Sequence, residues 1–541
     1  MSGAGHVPHS VRVIRAHCVR SSVTLCWPGG IEKQEEDRLL FEQTYTLERL
    51  SLPPRPSVWD NRIAGTPVHF YKAGFRYEHP CGFYGGPNLE WNVGRYPVVW
   101  RYENADPARY VRRVHPGALM NATSWTVFAL ILTIGACFAG DDRLGFCTHF
   151  DQQGGSPNWN PRYLMPKIAA TKAAWIRDDW NWSVCETSPS VYSVPSSKQA
   201  WLDAAFANGL KVVAVLTYPP KFYSNLWSPP TKAANFCAWL AQYEGPKIAT
   251  IEVINEPNNT FASQVGADWK HVLVTLTTAI YDAVHAASPN TQVIGYGGQG
   301  SQVLDMLAMG GRVDGVVYHP YDKGDAIAES VYEPPYYDYL SWVGTVKAAT
   351  KLPIWETEWA VDSGRSEYQS AIFDCRRLTM ALWLGVKHTF IYDFCDSDTG
   401  QSVVDYHYRP RQNYFAIDRV FSVLTPDLVA DEHPVSVTSN EPNFDNKNFM
   451  GFTFESGSST HPSKSCAVVW FGHMVPGGPI GQPNNPIRKA ELTVYHPSAG
   501  KVIATDLPSG AIWRPLWTQV GNNVVIHSAQ ISMSAVAYTI L

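Results

Sequence analysis

Ile248-Ala249-Thr250-Ile251-Glu252-Val253-Ile254-Asn255-Glu256-Pro257 is a mostly apolar run that stops abruptly on Asn-Glu-Pro. Its length and β-branched content suit a strand buried on both faces, and the proline marks its end. About a hundred residues later a second run, 352–357, closes on Glu358. Outward from these two runs, from about residue 144, short apolar stretches alternate with amphipathic ones. Strands are expected at 144–149, 174–177, 211–216, 248–254, 292–296, 313–318, 353–357 and 388–392. Helices are expected at 197–208, 231–243, 262–287, 339–350 and 367–385, with 412–424 after the last strand. Apolar strands separated by helices indicate a parallel sheet covered on both faces. Eight such units over roughly 250–300 residues fit a closed (β/α)8 TIM barrel. No Gly-rich phosphate turn follows the first strand, which argues against an open doubly wound sheet.

Beyond about residue 425 the helical period disappears. Segments 466–471, 490–495, 524–526 and 535–540 are separated by Pro, Gly and Asn clusters, the pattern of a small C-terminal antiparallel β-sandwich. The long Gly/Pro/Asn loop at 476–486 carries no chemistry of its own. Residues 125–139 form a short apolar segment that follows Met120 and ends in Gly135-Ala136-Cys137-Phe138-Ala139. It is too short to span a bilayer and reads as a secretory signal cleaved near Ala139. Ile134-Gly135-Ala136-Cys137 also has the form of a lipoprotein box, with Cys137 as the lipid-bearing residue; a buried helix is the competing reading. Residues 1–119 are rich in Arg and show no sustained period, so a start of translation near Met120 is expected. The resulting division is 1–119 unassigned, 120–140 signal peptide, 141–424 barrel and 425–541 sandwich.

Composition narrows the function. With 45% hydrophobic and 17% charged residues the chain is globular, and a net charge of −5 gives no case for nucleic acid as a partner. Cys147, Cys185, Cys237, Cys375, Cys395 and Cys466 follow the signal, an even number that permits disulfides in an exported protein without fixing their pairing. The absence of C-x-x-C, H-E-x-x-H, Walker and G-x-S-x-G patterns removes the commonest zinc, protease, nucleotide and esterase readings.

Barrel chemistry gathers where strands end. His149, Arg177, Asn255, Glu256, His319, Tyr321 and Glu358 all fall at expected strand tips. Any one of them is ordinary; a glutamate after a strand commonly caps a helix or faces solvent. Their occurrence at successive tips is harder to explain by capping. Two carboxylates so presented are what glycosidic cleavage requires, one to protonate the leaving oxygen and one to face the anomeric carbon.

Asn255-Glu256-Pro257 at the fourth strand, His319-Pro320-Tyr321 at the sixth and Trp355-Glu356-Thr357-Glu358-Trp359 at the seventh resemble the clan A retaining glycoside hydrolases, most closely family 39 or family 5. The resemblance covers about residues 144–425 and leaves the substrate unspecified. It implies Glu256 as acid/base, Glu358 as nucleophile, Asn255 on the sugar 2-hydroxyl and Tyr321 beside the nucleophile. Arg177 would keep the nucleophile ionised and His319 would bind substrate. The chain departs from family 5 in two places. After the third strand only Tyr218 stands where a histidine is frequent, and at the eighth Tyr392 and Phe394 replace a tryptophan.

Glu356 competes with Glu358, because residues two apart on a strand share a side. The Thr357-Glu358 match and the position nearest the tip favour Glu358. Carboxylates about 5–5.5 Å apart repel by roughly 3 kcal/mol at an effective dielectric of about 20, enough to hold one protonated while Arg177 keeps the other charged. Trp180, Trp182, Trp227 and Trp359 near strand tips are candidate sugar-stacking residues, with core packing as the alternative. Asp393, Asp396 and Asp398 faintly suggest a cation loop but read better as a solvated turn.

The expectation is thus an exported, monomeric retaining β-glycosidase acting on an oligo- or polysaccharide, with no metal or organic cofactor and no transmembrane span. Endo action is favoured by the tryptophans. A carbohydrate-binding barrel without turnover and a transglycosylase are the alternatives.

Overall fold

The computed structural model describes residues 140–541 apart from 152–158, 224–226, 299, 322–336, 361–365, 396–401, 442–443, 445, 447–448, 459–460 and 472–486; before residue 140 it describes only strand paths. The chain divides into two compact units, Met1–Val127 and Phe128–Leu541. In the first, Ile14–Thr24, Arg38–Glu48, Val68–His79, Phe83–Gly85, Asn88–Val93 and Tyr96–Arg101 pair as one antiparallel sheet. No strand period announced these segments; ladder pairing uses backbone N–H and C=O groups and does not itself require alternation. Residues 120–139, with the expected signal and the Cys137 lipoprotein box, lie outside the described residues, as does the loop at 476–486.

The second unit contains a closed barrel of eight parallel strands. They are β1 (Asp141–Cys147), β2 (Ala173–Asn181), β3 (Lys211–Thr217), β4 (Ile248–Val253), β5 (Gln292–Gly295), β6 (Gly315–Tyr318), β7 (Ile354–Trp359) and β8 (His388–Ile391). β8 closes the ring on β1, with Thr389 opposite Leu144. After each strand comes a helix: α1 (Pro161–Ala170), α2 (Ser196–Ala207), α3 (Thr231–Glu244), α4 (Trp269–Ala287), α5 (Gly300–Ala308), α6 (Tyr337–Ala349), α7 (Glu367–Trp383) and α8 (Gln412–Val423). The expected helix 262–287 is broken at Gly266, whose φ of +91° suits a residue without a Cβ. A short helix, Thr260–Val265, lies before the break. Ser366 starts α7 with a capping box: its Oγ accepts from the Gln369 amide, whose side chain accepts from the Ser366 amide. Among the described residues no helix is long and apolar enough to cross a membrane.

Alternation along the strands divides the barrel interior into layers. Trp175, Val213, Ile294, Val317, Trp355 and Phe390 form an apolar inner cluster. Their neighbours Ile176, Val212, Ala214, Ile251 and Val253 join the layer shared with the helices. The rings need space: a Cβ on Gly145 would lie 2.3 Å from the Phe390 ring, and one on Gly315 2.5 Å from Trp355 Nε1. Glycine at both places admits the aromatic side chains. The six cysteines from Cys147 onward are buried free thiols.

The expected sandwich follows the barrel. One sheet orders Val429–Ala430, Phe449–Ser458, His461–Phe471, Val536–Ile540, Val502–Asp506 and Ile512–Trp513. The other orders Ser436–Thr438, Arg488–Tyr495, Asn523–Ile531 and Leu516–Val520. Between the sheets lie Val469, Leu492, Val494, Ile526 and Tyr538, while Phe452, Phe454, Val468 and Trp470 turn the other way and join the barrel's core. Trp383 of α7 meets Phe452 edge-on at 5.4 Å. Polar bonds fix the same seam: Arg376 of α7 donates to the carbonyls of Phe471 and Met533, and Arg419 of α8 donates to that of Leu507.

One buried carboxyl beside this seam makes stability depend on pH. Asp374 of α7 is 2% exposed and accepts from Asn413 Nδ2 of α8 at 3.0 Å. Burial lifts it to about 7, against the lowering effect of that hydrogen bond. The folded chain therefore holds a proton that the unfolded chain releases near pH 4, so this group's contribution is present below about pH 4 and is lost by about pH 7. The loss has a limiting slope of about 1.4 kcal/mol per pH unit. Asp374→Asn should flatten that slope, stabilising the protein at about pH 8 relative to about pH 5; urea unfolding at the two pH values measures it.

Candidate active site

Arg177, on β2, faces the barrel axis one alternation above Trp175. Its Nε and Nη2 grip Glu252 of β4 at 2.7 and 2.8 Å; Nη2 also donates to Asn255 Oδ1 at 2.7 Å, and Nη1 to Glu358 Oε2 at 2.9 Å. Arg177 is 5% exposed and Glu252 fully buried. Tyr321 donates its hydroxyl to Glu358 Oε1, so each oxygen of that carboxylate has a donor. Burial pushes the Glu358 carboxyl upward, but positive charge on His319 and Arg177, with the hydrogen bonds from Tyr321 and Arg177, outweighs it and holds the group below its ordinary value.

Beyond β4 the chain bends through Ile254 (φ +65°) and Glu256 (φ +39°), conformations uncommon for side chains with a Cβ. Glu256 accepts from Asn259 Nδ2 at 2.7 Å and lies 3.3 Å from His319 Nδ1. His319 Nε2 is 3.0 Å from Thr357 Oγ1, so the imidazole stands between β7 and Glu256. One oxygen of Glu256, one of Glu358 and a ring nitrogen of His319 all lie within 4.8 Å of one another. Such a trio has the spacing of metal ligands. However, Arg177 and Tyr321 already address both Glu358 oxygens, and the guanidinium supplies the positive charge a cation would bring.

The competition between the two β7 glutamates is resolved by a bulge. Trp355 faces the inner cluster, while Glu356 turns outward to accept from Tyr339 of α6 and from Thr389. The next paired position after Glu356↔Thr389 is Trp359↔Ile391, so β7 spends three residues where β8 spends two. The extra residue turns Glu358 to the barrel mouth, and the expectation that both glutamates share a side fails for that reason. Burial raises the Glu356 carboxyl even with Arg377 nearby.

Glu256, Glu358, Asn255, Arg177, His319 and Tyr321 are thus gathered at one mouth. His149 stands at its edge, 3.1 Å from the Tyr392 hydroxyl and edge-on to Trp159. Tyr392 occupies the tip of β8 where a tryptophan was missed. Sequence reading also missed Glu252, which sits inside an apolar run; its only signal was a charge at an inward position of a buried strand.

Trp180 and Trp359 require correction. Each is 1% exposed. Trp180 packs edge-on against Trp201 beneath Lys198, and Trp359 donates to Thr389 Oγ1 at 2.7 Å. Trp182 and Trp227 are buried as well, so these four rings form core rather than sugar platforms. The preference for endo action that rested on them falls. Among the described residues, exposed aromatic rings in segments that follow barrel strands include Tyr218, Phe222 and Tyr321. Asp393 is buried and accepts from Ser402, while Asp396 and Asp398 lie outside the described residues.

Removing a donor should change the charge state of Glu358. In Tyr321→Phe its titration should move upward, toward the ordinary glutamate range, followed by the 13C shift of the labelled carboxyl. An unchanged titration would show that the hydroxyl contributes nothing to holding the charge.

No protein-family model matches this chain, and no curated protein matches it. Among solved structures, a family 39 glycoside hydrolase from the gut symbiont Bacteroides cellulosilyticus WH2 is similar with a TM-score of 0.54 at 15% identity, covering 94% of this chain and 95% of its own. A glucosidase from Croceicoccus marinus gives a TM-score of 0.46 at 10% identity, over 74% and 96% of the two chains. The family 30 subfamily 8 xylanase Xyn30A from Clostridium acetobutylicum gives 0.46 at 10%, over 73% and 95%. The first of these likenesses establishes a common fold: the chain shares its architecture with a family 39 glycoside hydrolase.

Proposed function

We propose that this chain is a retaining β-glycoside hydrolase acting on an oligo- or polysaccharide. The observation that carries the reading is the approach of Glu256 and Glu358 oxygens to within 4.8 Å across a barrel mouth. Retaining enzymes hold their two carboxyl groups about 5–5.5 Å apart, whereas inverting enzymes need about 6.5–9.5 Å to admit a water. In this reading Glu358, ionised beside Arg177, attacks the anomeric carbon while Glu256 gives a proton to the departing glycosidic oxygen. The bond to the leaving sugar breaks and a glycosyl ester forms on Glu358. Esterification removes the negative charge facing Glu256, which then takes a proton from the incoming water as the ester is cleaved.

The remaining residues divide into binding and support. Asn255 Oδ1 is occupied by Arg177, which leaves Nδ2 free to donate to a sugar hydroxyl beside the reacting carbon. His319, between Thr357 and Glu256, would orient the acid. The open rings of Tyr218 and Phe222 offer apolar faces to a sugar. Export belongs to the same proposal: residues 120–140 would act as the signal, with Cys137 as a candidate lipid attachment. Sequencing the mature N-terminus tests this, and a product that retains residues before Met120 would remove it.

Glu358→Ala should lower kcat by about 10⁴-fold or more, as loss of a covalent nucleophile does. Azide, small enough to enter the vacated space, should restore cleavage of an activated aryl β-glycoside and yield the glycosyl azide of inverted configuration. A folded variant that azide does not rescue would rule out Glu358 as the nucleophile.

A further inference from the structure

A second carboxylate–imidazole cluster lies in the sandwich, away from the barrel mouth. Asp431 follows the strand Val429–Ala430, and Glu455 lies on the neighbouring strand Phe449–Ser458. The Asp431 amide donates to Thr453 O at 2.9 Å, which holds the loop against that strand. His433, two residues on, stacks on Tyr495 of the opposite sheet, with ring centroids 4.0 Å apart and planes 11° apart. One donor atom from each of Asp431, His433 and Glu455 lies within 4.8 Å of the other two.

The two carboxylates are buried in an unusual way. Asp431 is 5% and Glu455 6% exposed. Asp431 Oδ1 accepts from both the amide and the ring Nδ1 of His433, at 2.9 and 2.8 Å. Asp431 Oδ2 and Glu455 Oε2, by contrast, are buried with no hydrogen-bond partner. Among the described residues, the charged groups acting on Glu455 are Asp431, His433 and Glu432, with no lysine or arginine. Two buried oxygens of like charge without a donor are costly unless something positive joins them.

We propose that Asp431, His433 and Glu455 form a divalent-cation site that pins the sandwich. Two carboxylate oxygens and an imidazole nitrogen suit Zn²⁺ or Mn²⁺, whereas Ca²⁺ and Mg²⁺ prefer sets made wholly of oxygen. Water would complete the coordination, and the 45% exposure of the His433 side chain leaves a path for entry. A cation bound through Nδ1 would take the place of the hydrogen bond that His433 now makes to Asp431. Because Tyr495 belongs to the other sheet, a cation held here would tie both sheets to one loop.

The test uses the full chain, stripped by a chelator and then titrated separately with Zn²⁺, Mn²⁺, Ca²⁺ and Mg²⁺. Metal content is read by mass spectrometry and stability as Tm. One equivalent of Zn²⁺ or Mn²⁺ should bind and raise Tm by a few degrees at about a hundredfold excess over Kd. Glu455→Gln, nearly isosteric, should fold and lose at least about tenfold in affinity. Glu358→Gln, which alters the cluster at the barrel mouth, should keep the equivalent. Full binding retained in Glu455→Gln would overturn the proposal. So would a folded parent that binds none of the four cations but shows a pH-dependent Tm abolished by Glu455→Gln, since a proton shared by the two acids would then be what fills the gap.

Discussion

The guanidinium of Arg177 is the constraint on which the barrel mouth depends. It is buried, and so are the two carboxylates it joins, Glu252 and Glu358. A buried charge is tolerated only when paired and hydrogen-bonded, and every member of this set meets that condition through the others. The bidentate hold of Glu252 fixes the plane of the fork. Once the plane is fixed, the three remaining N–H groups point toward Asn255, Glu358 and the Cys147 sulfur. The orientation of an amide and the charge of a carboxylate therefore follow from one ion pair lower in the barrel. Directly beneath lie Trp175, Trp355 and Phe390, so within one alternation of the strands the interior passes from apolar to ionic.

Helix α7 carries this order outward. Arg376 and Arg377 are adjacent, and neighbours on a helix point about a quarter-turn or more apart. Arg376 reaches the sandwich carbonyls of Phe471 and Met533, whereas Arg377 lies over the Tyr339 ring and donates to Pro320 O. Pro320 stands between His319 and Tyr321, the two residues that flank the carboxylates. The sandwich is thus linked, through one helix, to the loop that positions a donor on Glu358. Tyr339 continues the path by bonding Glu356, which is held among the helices and away from the mouth.

The sequence made the barrel legible because its strands are buried on both faces and their apolar runs are short, with clear ends. The strand tips were legible for the same reason: Asn255, Glu256, His319 and Glu358 interrupt apolar runs where nothing in a core would call for polarity. Features set by register rather than composition were not legible. The bulge that separates Glu356 from Glu358 leaves no local signature, since it arises from how β7 meets β8. Trp180, Trp182, Trp227 and Trp359 sit near strand ends in sequence, but whether a ring faces solvent is decided by what packs over it. Two helices, α1 and α5, escaped notice: the first contains Pro161 and Pro166, and the second spans only Gly300–Ala308.

The turn after β4 joins these points. Ile254 and Glu256 both adopt positive φ, which costs on the order of 1–3 kcal/mol at each non-glycine residue. A regular strand would send Asn255 and Glu256 to opposite faces, one toward the helices. Bending the backbone twice brings both to the mouth, where Asn255 meets Arg177 and Glu256 meets His319 and Asn259. Hydrogen bonds to charged groups contribute about 1.5–3 kcal/mol each. The bond from the Arg177 guanidinium to Asn255 is of the same size as the strain at one such residue. Asn255 is also exposed, and a side chain anchored at one end by a buried cation and open at the other meets a ligand with its orientation already fixed.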